Sequence, residues 1–420
     1  MPVVPITGNR WPTSRSGRDA FADHYGSAWC ERFHAALLTG DPLADAIVAL
    51  GGERAVEVRR QLARGLVSGL SSLDDPDECV VDLLRETESV PAQVDAALIA
   101  SGPRVWHDVP FRLHLLSMSA GALIGVYTSP SIASVLSATG RLSTDTERRL
   151  HDTADWLTTT MSPGSLAVGE AGYVATVELR LIHAHARRTA RRHGHDERRF
   201  GTAINQVDLV RTWLAFTLTG MRAQASLGFA PNEAEIAENY EYWQQVAHLL
   251  GIDPELVGTV RSHADAECLE RMVESVSGTP DQKSVTLTRR TLGTVADALD
   301  SMSVLPNSVS RKVLETLVRR FHGDDRADAL EIGRSPGLDV LMAPVIALAR
   351  AHRALQRSDA ACWSAAGAGR YADALATALA DQAAVPQTIT PVVGIADAPA
   401  ALTIPTLPEP SIEPALDEAA

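Results

Sequence analysis

Apolar residues recur at spacings of three and four along most of this chain, and strictly alternating runs are scarce. A chain patterned in this way offers each segment one apolar stripe to bury and provides no surface for a sheet. With Ala, Leu and Arg abundant, all good helix formers, the expectation is an all-α fold. Turn signals punctuate the pattern at "TGDP" (Thr39 to Pro42), "SLDDPDE" (Ser72 to Glu78), "SGPRV" (Ser101 to Val105), "TSPS" (Thr128 to Ser131), "MSPGS" (Met161 to Ser165), "FAPNE" (Phe229 to Glu233) and "SGTPDQ" (Ser277 to Gln282). None is long enough to link separate domains, so residues 1–384 read as a single large helical domain. From about Ala383 the chain turns rich in Pro, Ala and Thr without helical periodicity, and residues 385–420 read as a disordered tail with no catalytic role.

A formal charge of −14 disfavours a general attraction to phosphate backbones or anionic lipid, so no nucleic-acid partner is expected. Cys30, Cys79, Cys268 and Cys362 are far apart and form no CxxC pair. Neither a zinc ribbon nor a disulfide framework is indicated, and a reducing compartment follows. The first residues, "MPVVPITGNRWPTSRSGRDAF", lack the apolar core of a secretory signal, and the expected location is the cytoplasm. The most apolar stretch, Leu115 to Tyr127, falls well short of the roughly 20 residues a membrane span needs and reads as a buried helix.

One stretch concentrates chemistry: "ELRLIHAHARRTARRHGH", Glu178 to His195, packs four histidines and five arginines into eighteen residues of one long helical pattern. On a helix, positions two apart point to different sides, so His183 and His185 cannot share one ion. His183 lies with Thr176, Leu179, Ala186 and Ala190 on a small, largely apolar face, whereas His185 lies with Glu178, Leu181, Arg188 and Thr189 on a polar one. An imidazole among alanines suits a flat macrocycle lying on the helix, with one ring nitrogen on an iron and the other held by an acceptor; it also suits a hydrogen-bonded core histidine. Upstream, Thr144 and Glu147 form a Thr-x-x-Glu capping box, and Arg149, Thr153 and Trp156 then share one helix face. The link "TTTMSPGSLAVGEAG" carries Pro163, Gly164, Gly169 and Gly172, which lets the chain reverse and the two helices oppose each other. Arg149 and Thr153 would then meet a group held by His183; otherwise they are a surface arginine and a threonine bonding back to its own helix.

Together "RRLHDTADW", "VELRLIHAHARR" with its histidine thirty residues after Thr153, "GTAINQVDLVRTWLAF" and "NYEYWQQVAHLLGID" resemble the latex clearing proteins, or bacterial rubber oxygenases, and the related oxygenase of the mycophenolic acid pathway. The resemblance runs from about Thr128 to Asp253. It implies an expanded globin-like helical core around haem b, with His183 as the proximal iron ligand and Arg149 and Thr153 on the distal side. Two positions depart from the rubber-cleaving members: their lysine before the distal threonine is Asp152 here, and ungapped counting puts Ala133 where they carry a glutamate base. Asp155 and Glu170 are the nearby acids that could replace that base.

The other motifs have structural readings. Asn205 with Asp208 reads as a helix N-cap, Tyr240 and Trp243 as core, and most of Arg187, Arg188, Arg191 and Arg192 as solvated, with one or two free to reach haem propionates. A nucleic-acid-binding helix conflicts with the acidic remainder, and a di-iron centre needs two Glu-x-x-His pairs where only Glu31 to His34 fits. The expectation is a haem b-dependent oxygenase that uses dioxygen on a small hydrophobic, alkene-bearing substrate. A non-catalytic haem sensor or carrier is its rival.

Overall fold

In the computed structural model, which describes residues 11–15, 17–138, 146–302 and 305–358, every element is helical. The tail expected over 385–420 and Thr144 of the capping box lie outside the described residues. The helices that build and brace the site are Pro42–Ala49 (α1), Glu78–Thr87 (α2), Thr146–Met161 (α3), Ala171–Arg192 (α4), Gln206–Leu214 (α5), Glu233–Leu249 (α6) and Leu338–Ser358 (α7).

Local chemistry starts several of these helices where the sequence signals it. Asp41 accepts the backbone N–H of Ala44 at 3.2 Å, and Pro42 occupies the first turn of α1, where its missing N–H costs nothing. Asn205 caps α5 by accepting from the Asp208 N–H at 3.0 Å, and its amide donates to the Asp208 carboxylate at 3.1 Å, which confirms the capping reading. Asn232 and Glu235 form a reciprocal capping box at the start of α6.

By contrast, α4 has no side-chain cap at its start. Its 22 residues, about 33 Å of helix, are held by burial on both sides. Antiparallel α3 packs along it after the chain reverses through Ser162 to Glu170, where Gly164 (φ 75°) and Gly169 (φ 88°) take backbone angles that a side chain would strain. The closed end of this hairpin is bolted: Trp156 donates its indole N–H to Thr176 Oγ1 at 3.1 Å, and the Tyr242 hydroxyl from α6 donates to the Thr160 carbonyl at 2.6 Å. Beneath it Phe216 stacks on Trp243, with ring centroids 6.1 Å apart, and Trp156 meets Trp243 edge-on at 6.4 Å. Tyr240 and Trp243 are fully enclosed, as expected of core residues.

Leu115 to Tyr127 is a mostly buried helical stretch. It is π-helical over Ser117–Leu123, and that wider turn lies against a second π-helical turn at Ala215–Thr219. Among the described residues no single helix is long and apolar enough to cross a membrane.

Candidate functional site

The hairpin puts His183 and Arg149 at one level. The bond from Trp156 to Thr176 fixes the register of α3 on α4. Seven residues back along α3 is Arg149, and seven on along α4 is His183. Because the helices are antiparallel, both steps run about 10 Å in the same direction and return to nearly the same face. Away from the bolted end the packing loosens: Arg149 and Thr153 on α3, and Leu179, His183 and Ala186 on α4, are only half-buried.

His183 is poised as a neutral base. Burial, and secondarily the Arg187 guanidinium one turn on, push its pKa down to about 4, with Asp41 pulling weakly the other way. At neutral pH the ring therefore carries one N–H and one lone pair. Nδ1 is sealed from solvent and meets no hydrogen-bond partner, so the acceptor expected behind the ring is not seen. An orphaned buried nitrogen of this kind costs about 1–3 kcal/mol.

Arg149 supplies the matching feature on α3. One Nη donates to the Tyr127 hydroxyl at 3.1 Å, and the guanidinium carbon stands 5.8 Å above the Tyr127 ring. The other, Nη1, is buried without a partner. Thr153 bonds back onto its own helix, donating to the Arg149 carbonyl at 2.8 Å. Its hydroxyl proton is therefore committed, while its oxygen can still accept. Asp152, beside it, lies 4.0 Å from Arg148.

The acids considered as replacement bases do not converge on this level. Asp155 lies two residues from Thr153, hence on another side of α3, and burial raises its pKa. Glu170 is exposed at the start of α4, about 20 Å of helix before His183. Ala133 is wholly buried on Pro130–Ala138 and offers no carboxylate.

Two readings of α4 are corrected. The side assigned to His185 as polar is packed: Leu181 is buried, Arg188 donates to the Val48 carbonyl on α1, and Glu178 is 3 % exposed. Burial pushes the Glu178 carboxyl up to about 7, and Oε2 has no partner. The arginine run is only half solvated. Arg191 and Arg192 are exposed, but Arg187 is buried and bound to Asp45 at 2.8 Å and to the Ile204 carbonyl at 3.3 Å. Sequence reasoning missed Arg180, three residues before His183, which is buried against Asp41 at 2.6 Å and Glu86 at 3.0 Å. Spacing of seven from Arg187 was the available signal, since both side chains reach the same neighbour, α1. Tyr127, the partner of Arg149, carried no signal.

Of the residues considered for a di-iron centre, Glu31 pairs with Arg18, and His34 is buried beside Trp11. Among the described residues no cluster of three or more His, Cys, Asp or Glu side chains could hold a bare metal ion.

These features define an all-α protein in which a long central helix offers one neutral imidazole across from a guanidinium on the helix that opposes it. The chain belongs to the family described as "ER-bound oxygenase mpaB/B'/Rubber oxygenase, catalytic domain", whose model matches residues 104–357. It is 25% identical over 173 residues to the rubber oxygenase of Streptomyces sp. (strain K30), a match spanning 40% of this chain and 40% of that protein. Its structure is similar to that of latex clearing protein in the closed state, with a TM-score of 0.55 at 18% identity over 76% of this chain and 84% of the other. That likeness shows a shared all-α fold.

Proposed function

We propose that this protein is a haem b-dependent oxygenase that uses dioxygen on a small hydrophobic, alkene-bearing molecule in the cytoplasm. Membership of an oxygenase family supports the reaction class. The observation that carries the haem reading is the pair of orphaned buried nitrogens, Nδ1 of His183 and Nη1 of Arg149, at one level of the hairpin. A flat group there would rest on the small face of α4, with Leu179 and Ala186 against it. Haem, when bound, supplies the iron at which dioxygen is activated for attack on a carbon–carbon double bond.

The chain's own residues do the rest. His183 offers the lone pair of an imidazole that burial keeps neutral. Arg149, pinned through Tyr127, keeps one buried guanidinium nitrogen unpartnered and available as a donor to an oxygen-bearing ligand. Thr153, bonded to the Arg149 carbonyl, fixes the turn that presents that guanidinium. The apolar flank excludes water and suits an apolar substrate.

The test is spectroscopic. Purified protein should show a Soret band with the pyridine-haemochrome signature of haem b. His183→Ala should lose most of the haem while His185→Ala retains it, and Arg149→Ala should keep haem but lose at least tenfold in oxygen-dependent turnover. Equal haem occupancy in wild type and His183→Ala would sink the assignment. Full turnover in Arg149→Ala would favour the non-catalytic side of its role, and haem binding without oxygen consumption on any alkene would point to a carrier.

A further inference from the structure

The helix Gln282–Ser301 carries two sets of hydroxyls that behave differently. Half-buried Thr286 and Thr294 bond back onto the carbonyls of Gln282 and Arg290, at 2.8 and 3.2 Å, as threonines in helices commonly do. Ser284, Thr288 and Thr291 are wholly buried, and among the described residues none of their hydroxyls meets a partner. At 100° per residue these three lie within about 60° of one another, in a row about 10 Å long. The exposed Arg289, Arg290, Asp297 and Asp300 fall on the opposite side of the helix. Buried hydroxyls are nearly always bonded, so three orphans in one row mark a place where something else supplies the bonds.

The surrounding protein does not supply them. At one edge of the buried face Arg289 bonds Glu331 at 3.0 Å, and at the other Lys283 donates to Ser134 at 3.3 Å, so the row runs between these two flanks. Neighbouring hydroxyls are already committed: Ser310 to the Leu305 carbonyl at 3.1 Å, Thr316 to the Lys312 carbonyl at 2.8 Å and Ser131 to Asp208 at 2.6 Å. The same helix packs against Ile124–Tyr127 and against α3, the elements that carry Tyr127 and Arg149. Arg149 Nη1 is itself buried without a partner, so the open polar groups of this region collect on two helices in contact.

We propose that Ser284, Thr288 and Thr291 hold a neutral oxygen group of the substrate, a hydroxyl or a carbonyl, an assignment that rests on the oxygenase reading above. The substrate is then an unsaturated alcohol, aldehyde or ketone and not a bare hydrocarbon. A serine or threonine hydroxyl donates one bond and accepts others, which matches an alcohol or a carbonyl equally well. The row itself holds no charged side chain, so a carboxylate or phosphate would find no counter-ion on it.

The experiment is titration calorimetry on the full-length protein, with geraniol and with the hydrocarbon of the same carbon skeleton that lacks the hydroxyl. Wild type should bind geraniol more tightly by about tenfold or more, because the hydrocarbon leaves the row unbonded. Thr288→Val/Thr291→Val, nearly unchanged in shape, should bind the two probes equally and keep the wild-type affinity for the hydrocarbon. Its melting temperature without ligand should not fall, since no bond within the fold is lost. Ser284→Ala should weaken geraniol binding alone, by about threefold or more. Equal binding of the two probes by wild type, or no binding of geraniol, would overturn the proposal. A preference unchanged in both variants would overturn it in favour of ordered water along the row. A lower melting temperature in the valine variant would overturn it too, because the hydroxyls would then be bonded inside the protein. Calorimetry reads binding without turnover, so a missing Soret band would sink the haem assignment while the preference for geraniol stands or falls separately.

Discussion

Glu178 carries its carboxyl into the packed side of α4 with one oxygen unpartnered, and the energetic consequence has a definite sign. Its pKa is raised from 4.5 to about 7, so the folded protein favours the neutral acid. The contribution to stability is fully present below the unfolded value, 4.5, and is lost as pH rises through about 7. The loss amounts to roughly 3 kcal/mol at most. Glu178→Gln should therefore be about 1–3 kcal/mol more stable than wild type at pH 8 and within about 1 kcal/mol of it at pH 4.5, measured by urea unfolding. A wild-type advantage at pH 8 would contradict the assignment. His183 and Glu178 also show what a residue pattern reveals at this scale. The small face around His183 was legible because Ala186 and Ala190 announce it. The burial of Glu178 was not, because a helical wheel sorts residues by polarity, and only the neighbouring helices decide which polar side is covered.

Among elements, α4 is the one whose position everything else depends on. Its arginines, which read from sequence as a mostly solvated row, act as rivets: Arg180 reaches the cap of α1 through Asp41 and the end of α2 through Glu86, and Arg187 reaches Asp45. Removing one partner of a buried pair strands the other charge, at a cost of about 3–5 kcal/mol. Arg180→Met should lose stability in that range, because Asp41 would remain enclosed. Arg60→Ala, which removes an exposed pair with Glu57, should change stability by less than about 1 kcal/mol. Similar losses for the two variants would remove the distinction between rivet and surface pair. The existence of α3 and α4, their reversal and the cap at Asn205 were legible, since each has a local cause. The acidic partners of Arg180 and Arg187 lie 94 to 142 residues away, and no local pattern names them.

For the molecule as a whole, the family and the all-α fold agree with the sequence, while the substrate has to be argued from what departs. The rubber-cleaving members that the sequence resembles carry a lysine where this chain has Asp152, and a glutamate where ungapped counting puts Ala133. Asp152 accepts but does not donate when ionised, and Ala133 is enclosed with no carboxylate to offer. Haem-loaded protein incubated with polyisoprene latex and dioxygen should therefore yield no oligo-isoprenoid aldehydes or ketones by mass spectrometry, while smaller alkenes should support oxygen uptake. Cleavage of the polymer with matching oxygen consumption would refute this. The bolted end of the α3–α4 hairpin has one more consequence, concerning the order of assembly. Its bonds, from Trp156 to Thr176 and from Tyr242 to Thr160, join protein to protein and are complete without any cofactor. If His183 seats haem as proposed, that seat is shaped before it is filled, and a chain made under haem starvation is expected to fold first and take up haem afterwards.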